Sequence, residues 1–295
     1  MKFLLSLIST CSVFALFSQS VVPFTLENNC IFIYCKINET DSVKFLFDTG
    51  ANSSVINTNS NKQVPLQIDG KSMNEGSNGV NEVKTSGNNQ VSFSGIVKSK
   101  VTLTLIDFGS NAFDGVFGTD LMNKHIIEID YNKRVLKFHE PAGFTANLEN
   151  YDKLKIHFVD SYPTIPCSIV VKGKQYSGYF GLDSGANDAL TIASPYERKH
   201  VLKNKTEQIA LASFQGSDGS IYDMPIVLAP ELKVGKKSFY AIPMNLSSAT
   251  EGIDATEEMA GFFGNNFLKR FNTILDLPNG YIYFKPNELL YSPFE

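Results

Sequence analysis

Two aspartates in matching surroundings are the residues of this chain best suited to do chemistry. The run Phe45-Leu46-Phe47-Asp48-Thr49-Gly50-Ala51-Asn52 recurs as Phe180-Gly181-Leu182-Asp183-Ser184-Gly185-Ala186-Asn187. An apolar run of this kind reads as a strand buried on both faces, so each aspartate ends a strand in a low-dielectric setting. Gly50 and Gly185 allow a tight turn and let a second backbone come close. Thr49 and Ser184 bring hydroxyls that need partners once buried. In a two-fold arrangement the natural partner is the opposite copy of the same loop, and Asp48 and Asp183 then meet at the axis. Carboxylates that close cannot both ionise, so the pair shares one proton and titrates as a unit. The ionised member can take a proton from a water while the protonated member hydrogen-bonds a carbonyl, with no metal and no covalent intermediate.

One such tripeptide carries little weight, since ordinary residue usage gives it in roughly a tenth of chains this long. The repeat carries the argument. Gly115-Val116-Phe117-Gly118 is answered by Gly261-Phe262-Phe263-Gly264, and the alignment continues without a gap: Leu121 with Phe267, Ile129-Asp130 with Leu275-Asp276, Phe138 with Phe284. Each half therefore has strands, Asp-Thr/Ser-Gly, a variable middle, a Gly-flanked apolar pair and a closing hairpin.

The elements that must position these residues read as all-β. Cys30 to Ile37, Lys44 to Phe47, Val91 to Ile96 and Val101 to Leu105 are rich in β-branched and aromatic residues. Turn clusters such as Asn38-Glu39-Thr40-Asp41 and Gly87-Asn88-Asn89 separate them. Tyr131-Asn132-Lys133-Arg134 and Leu277-Pro278-Asn279-Gly280 read as hairpin turns. Short helices are expected around Asp120 to Lys124 and Asn266 to Arg270. The stretch His139 to Asn150 lacks a clear period and is the expected linker. The domain reading is a signal peptide at 1–20, one lobe at 21–145 and a second at 146–295.

The length of 295 residues suffices for two modest cores. A net charge of −4 gives no reason to expect nucleic acid or an anionic membrane as partner. Lys2, the mostly apolar stretch Phe3 to Phe17 and the small residues of Ser18-Gln19-Ser20 read as a signal peptide cleaved after Ser20, with a lipoprotein route through Cys11 as the alternative. The apolar stretch is too short and Ser-rich for a stable span, and no later segment could cross a bilayer. Cleavage leaves Cys30, Cys35 and Cys167, an odd number. Cys30 and Cys35 point to opposite faces of one strand, so buried, unbridged thiols are expected. The four histidines (125, 139, 157, 200) show no ligand spacing, which gives zinc no support. Asp130 and Asp276 each precede a hairpin turn and read as structural. Asp114 and Asp120 read as solvated loop or capping residues.

These motifs resemble the aspartic proteases, specifically the retropepsin-like bacterial two-lobe type. Phe47-Asp48-Thr49-Gly50-Ala51-Asn52-Ser53-Ser54-Val55-Ile56, Leu182-Asp183-Ser184-Gly185-Ala186, Asp114-Gly115-Val116-Phe117-Gly118 and Gly261-Phe262-Phe263-Gly264 carry the resemblance, over about residues 25 to 287. It implies two β-barrel lobes about a pseudo-two-fold axis with the active site between them. It also implies catalytic Asp48 and Asp183, supported by Thr49, Gly50, Ser184 and Gly185, with loops braced by Val116, Phe117, Gly118, Phe262, Phe263 and Gly264. The activity implied is cleavage of extended peptides or proteins by a secreted or periplasmic monomer that needs no cofactor. A non-catalytic peptide- or glycan-binding module on the same fold is the alternative. Asn187-Asp188 departs from the small, uncharged residues usual after the second motif, which bears on the acidity of the pair. The family's flap hairpins fall on 74–81, with Gly76 and Gly79, and on 213–219, with Phe214 and Gly216. Two ordinary hydrophilic hairpin tips explain those segments equally well on turn statistics.

Overall fold

The computed structural model describes residues 20–294. All but Ser20 of the expected signal peptide, Cys11 included, lies outside the described residues. The described residues form three sheets. Eight strands of the first half run in the order Thr25–Glu27, Cys30–Ile37, Val43–Phe47, Gly115–Phe117, Val55–Asn57, Ile96–Ile106, Val80–Phe93 and Gly70–Glu75. Cys30–Ile37 also pairs with Val80–Phe93, which curls the sheet towards a barrel. The second half repeats the plan in the order His157–Val159, Tyr162–Val171, Lys174–Asp183, Gly261–Gly264, Leu190–Ile192, Lys237–Leu246, Ile221–Val234 and Gln208–Gln215. Here Tyr162–Val171 pairs with Ile221–Val234.

A six-stranded antiparallel sheet takes three strands from each half: Ser20–Pro23, Val135–His139 and Ile126–Asp130, then Phe271–Asp276, Tyr281–Pro286 and Asp152–Lys155. Its central pairing sets Ile126 against Asp276 and Glu128 against Ile274. The gap-free alignment of the two closing segments makes Glu128 and Ile274 counterparts, so the pseudo-two-fold axis passes between them. Between His139 and Asp152 the chain has no helix or strand. The architecture is the expected one: all-β, two barrel-like lobes and a cleft between them.

Alternation explains the strands that carry the site. In Val43–Phe47, Val43, Phe45 and Phe47 face the core while Lys44 and Leu46 are half-buried. The strand is therefore not buried on both faces as its apolar run suggests; Leu46 lines the cleft. Phe47 stacks on Phe117 at 6.0 Å and Phe180 packs on Phe263 at 5.6 Å, all four fully buried. Burying one such ring stabilises the fold by about 2–3 kcal/mol. Short helices follow each Gly-flanked pair, at Thr119–Met122 and Asn265–Leu268, as expected.

Two turn assignments need correction. Val91 to Ile96 is not one strand: Val80–Phe93 ends there, and Ser94 (φ 42°) and Gly95 (φ 84°) form the hairpin turn into Ile96–Ile106. Gly87-Asn88-Asn89 is not a separating turn but an irregularity inside the strand, where the register shifts between Ser86 and Asn89. The buried Asn89 side chain donates to the Ser86 carbonyl at 2.7 Å and holds the kink.

Candidate active site

The two Asp loops grip each other. Thr49 Oγ1 donates to the Leu182 carbonyl (2.7 Å) and accepts from the Ser184 N–H (3.1 Å). Ser184 Oγ donates to the Phe47 carbonyl (2.8 Å) and accepts from the Thr49 N–H (3.0 Å). All four bonds cross the axis, and they satisfy both buried hydroxyls in the reciprocal manner anticipated from the repeat. The grip brings Asp48 and Asp183 into side-chain hydrogen-bonding contact at the floor of the cleft.

Glycine is required at both turns by this closeness. A Cβ on Gly50 would lie 2.9 Å from Asp183 Cγ, and one on Gly185 would run into the Asp48 carboxylate. Each aspartate turns one oxygen inward: Asp48 Oδ1 accepts from Gly50 N–H (2.7 Å) and Ala51 N–H (3.2 Å), and Asp183 Oδ1 from Gly185 and Ala186 N–H (both 3.0 Å).

The bracing segments lie where the repeat puts them. Phe45–Phe47 runs parallel to Gly115–Phe117, with Asp48 N–H donating to the Phe117 carbonyl at 3.1 Å. Leu182 and Asp183 run parallel to Phe263 and Gly264. Gly118 N–H donates to Ser54 Oγ, which donates to Asp120 (2.8 Å), while Thr119 N–H donates to the Ala51 carbonyl. Asp120 is therefore tied to the Asp48 loop and caps no helix. Asp114 is likewise not solvated: it is buried and accepts the Lys44 N–H at 2.7 Å and the Ser60 hydroxyl. Asp130 and Asp276 accept N–H groups within their own hairpin turns, from Lys133 (3.0 Å) and Asn279 (3.2 Å). Cys30, Cys35 and Cys167 are free and buried.

Burial disfavours the charged forms here. Asp48 is held well above the ordinary carboxylate range by desolvation and by the neighbouring Asp183. Asp183 is also raised by burial, but it is opposed by the Ala186 and Gly185 amides, Asp48 and the Tyr162 hydroxyl. Asp188 is pushed up to about 6 by burial and by Asp183; it accepts from Asn245 Nδ2 at 2.5 Å and from the Thr191 hydroxyl. The charge at this departure is thus muted only below about pH 6 and is present near neutrality.

A cleft of about 1150 Å³ lies above the pair. The hairpin tip at 76–79 closes it, with Asn74, Glu75, Gly76, Ser77 and Val80 among its lining, and the second tip contributes Phe214, Gln215, Gly216 and Ser217. Gly79 joins its own turn, its carbonyl accepting from Gly76 N–H at 2.9 Å. The first tip is docked on the second lobe: Ile253 N–H donates to the Gly76 carbonyl (2.9 Å) and Asp254 N–H to the Ser77 carbonyl (3.1 Å). Asp254, buried, accepts from Tyr222 Oη at 2.7 Å and is pushed up to about 7 by burial. Tyr162, Asp254, Tyr222 and Cys30 line this site, and no sequence motif marks them. No group of acids, histidines or cysteines that could hold a metal is found among the described residues.

The aspartyl protease family Asp_protease_2 matches residues 33–121, a span that includes Asp48-Thr49-Gly50 and Gly115-Val116-Phe117-Gly118. The crystal structure of the aspartic proteinase from Irpex lacteus has the same fold, with a TM-score of 0.59 at 14% identity over 94% of this chain and 100% of that one. No curated protein matches the sequence. The resemblance to the aspartyl proteases thus holds in sequence for the first lobe and in fold for almost the whole chain.

Proposed function

We propose that this chain is an exported, monomeric aspartic endopeptidase of two lobes, 21–145 and 146–295, whose catalytic pair is Asp48 and Asp183. The observation that carries the proposal is the contact of those two carboxyls across the pseudo-two-fold axis, in a cleft that the hairpin tip at 76–79 also lines. A buried pair of this kind holds one proton between its members. The ionised carboxylate takes a proton from a water as the water oxygen bonds to the scissile carbonyl carbon. The carbonyl oxygen takes the proton of the other carboxyl, giving a neutral tetrahedral diol. On collapse the carboxyl that took the water proton gives it to the amide nitrogen, and the other carboxylate takes a proton from a diol hydroxyl. The C–N bond breaks to leave a carboxylic acid and an amine, with the pair as it began.

The cleft suits an extended chain. The docked hairpin offers backbone for strand addition above the pair. Leu46, Phe113 and Val116 on one side and Met259 and Phe262 on the other supply apolar walls for side chains flanking the scissile bond.

Purified protein incubated with a peptide library between acidic and neutral pH should give pepstatin-sensitive cleavage. Asp48→Asn and Asp183→Asn should each lower the rate by roughly a thousandfold or more with the circular dichroism spectrum unchanged. Undiminished cleavage in either variant would refute the assignment. Peptide binding without turnover in the unaltered protein would favour the non-catalytic reading. Export rests on the apolar, Lys-led N-terminal segment. It is checked by sequencing the N-terminus of protein recovered outside the cytoplasm, where a start at Val21 is expected and a retained Met1 would count against it.

A further inference from the structure

The two halves of the site differ in the residue that stands opposite each aspartate. Thr164 pairs with Gly181 and Phe32 with Leu46, and both Gly181 and Leu46 stand two residues before their aspartates. Tyr162 and Cys30, each two residues before its paired residue, are therefore counterparts, and each lies opposite an aspartate in the continued register. Their neighbours compensate for size. Tyr162 sits where Gly181 leaves room, and a Cβ on Gly181 would come within 2.5 Å of Tyr162 Cε1; in the other half Leu46 holds the place of Gly181 and the small Cys30 that of Tyr162. The ring is held edge-on by Phe262 at 5.5 Å between centroids, and its hydroxyl reaches over the pair to Gly50, 2.5 Å from where a Cβ would stand. That hydroxyl hydrogen-bonds Asp183. Cys30 makes no equivalent contact with Asp48: its Sγ donates to the Gly185 carbonyl at 3.4 Å.

We propose that Tyr162 is a positioning residue of the pair: by donating to Asp183, where Cys30 leaves Asp48 without an equivalent donor, it fixes Asp183 as the member that takes the proton from water and Asp48 as the member that holds the shared proton. The inference rests on the endopeptidase reading for its catalytic meaning. The groups facing this spot are Asp48 from the opposite loop, Asp188 behind Asp183, Asp254 from the loop over the cleft, and Cys30. All are acids whose neutral forms burial favours. Desolvation and the carboxyls of Asp183, Asp48 and Asp254 hold the phenol well above its ordinary range, so it remains a donor throughout. A hydrogen bond to the ionised form stabilises that form, and one to a charged group is strong enough to move a titration by about one pH unit.

The test is Tyr162→Phe, which keeps the ring on Phe262 and Gly181 and removes only the donor. The titration of Asp183, followed by NMR of protein carrying ¹³C-labelled aspartate carboxyls and assigned by difference with Asp183→Asn, should move up by about one pH unit. On a peptide that the unaltered protein cleaves, the acidic limb of kcat/KM should rise by the same amount, costing about tenfold in rate below it, with KM little changed. Substituting 3-fluorotyrosine at position 162, a stronger donor of the same shape, should move both in the opposite direction and serves if the phenylalanine variant does not fold. An unmoved Asp183 titration in the folded variants overturns the proposal. So does a faster variant with an unshifted profile, since the hydroxyl would then merely obstruct the water. Failure of the unaltered protein to cleave any peptide would count against the endopeptidase reading alone, because the NMR titration reads the hydrogen bond without turnover.

Discussion

At the scale of single residues, the loop hydroxyls and the carboxyls divide the work. Thr49 and Ser184 are buried, each accepts one amide N–H, and each donates to a carbonyl of the other lobe. Ser184→Ala strands the Phe47 carbonyl and the Thr49 N–H, and an unsatisfied buried group costs about 1–3 kcal/mol. A loss of about 2–4 kcal/mol in urea unfolding is therefore expected, with Ser184→Thr recovering most of it. A loss no larger than that of an exposed serine would show that the grip is not a stabilising feature. The loops were legible in the sequence because their chemistry is local: a buried strand end, a glycine turn and a hydroxyl are contiguous residues, and they occur twice. Tyr162 was not legible in that way. Its partner Gly181 is nineteen positions on, and only the register of Tyr162–Val171 against Lys174–Asp183 brings the two together.

At the scale of elements, strands announced themselves where alternation met β-branched or aromatic residues, and failed to where a turn was made of residues that also occur in strands. Val91 to Ile96 reads as one strand because Phe93 and Ile96 are apolar, yet positive φ at both Ser94 and Gly95 reverses the chain between them. The irregular stretch at Gly87-Asn88-Asn89 misleads in the other direction, because Asn89 satisfies the broken ladder with its own amide. The hairpin tip at 76–79 was legible as a turn but not as a docked one. Its hydrogen bonds run to backbone N–H groups of Ile253 and Asp254, which carry no sequence signature. Gly252 permits that approach: it sits at φ 72°, and a Cβ there would strike the Gly76 carbonyl. The central pairing of Ile126–Asp130 with Phe271–Asp276 escaped sequence reading for the same reason, since either strand alone accounts for its own apolar pattern.

At the scale of the whole molecule, the cleft concentrates carboxyls that folding prefers neutral. Asp188 is raised to about 6 and Asp254 to about 7, and Asp48 and Asp183 are raised as well. A carboxyl whose folded value lies above its unfolded one binds more protons in the folded state, so its contribution to stability is whole below the unfolded value. That contribution is lost as pH rises through the folded value, here between about pH 4 and 7. Glu128 works in the opposite sense. His139 and Lys137 hold it down at about 2, so its contribution is present above the ordinary glutamate value and fades as pH falls towards 2. Stability should therefore peak near pH 4–5 and decline on both sides, by an amount on the order of a few kcal/mol between pH 5 and 7. Asp254 occupies the contact between lobes, with its N–H on the Ser77 carbonyl and its carboxyl on Tyr222, so ionising it charges the seam that holds the hairpin down. Asp254→Asn keeps a carbonyl oxygen for the Tyr222 hydroxyl and cannot ionise. Urea midpoints measured from pH 3 to 8 should show the decline above pH 5 in the unaltered protein and a shallower one in Asp254→Asn. Midpoints that climb from pH 5 to 7, or parallel curves for the two proteins, would show that this buried carboxyl does not set the pH dependence of the closed cleft.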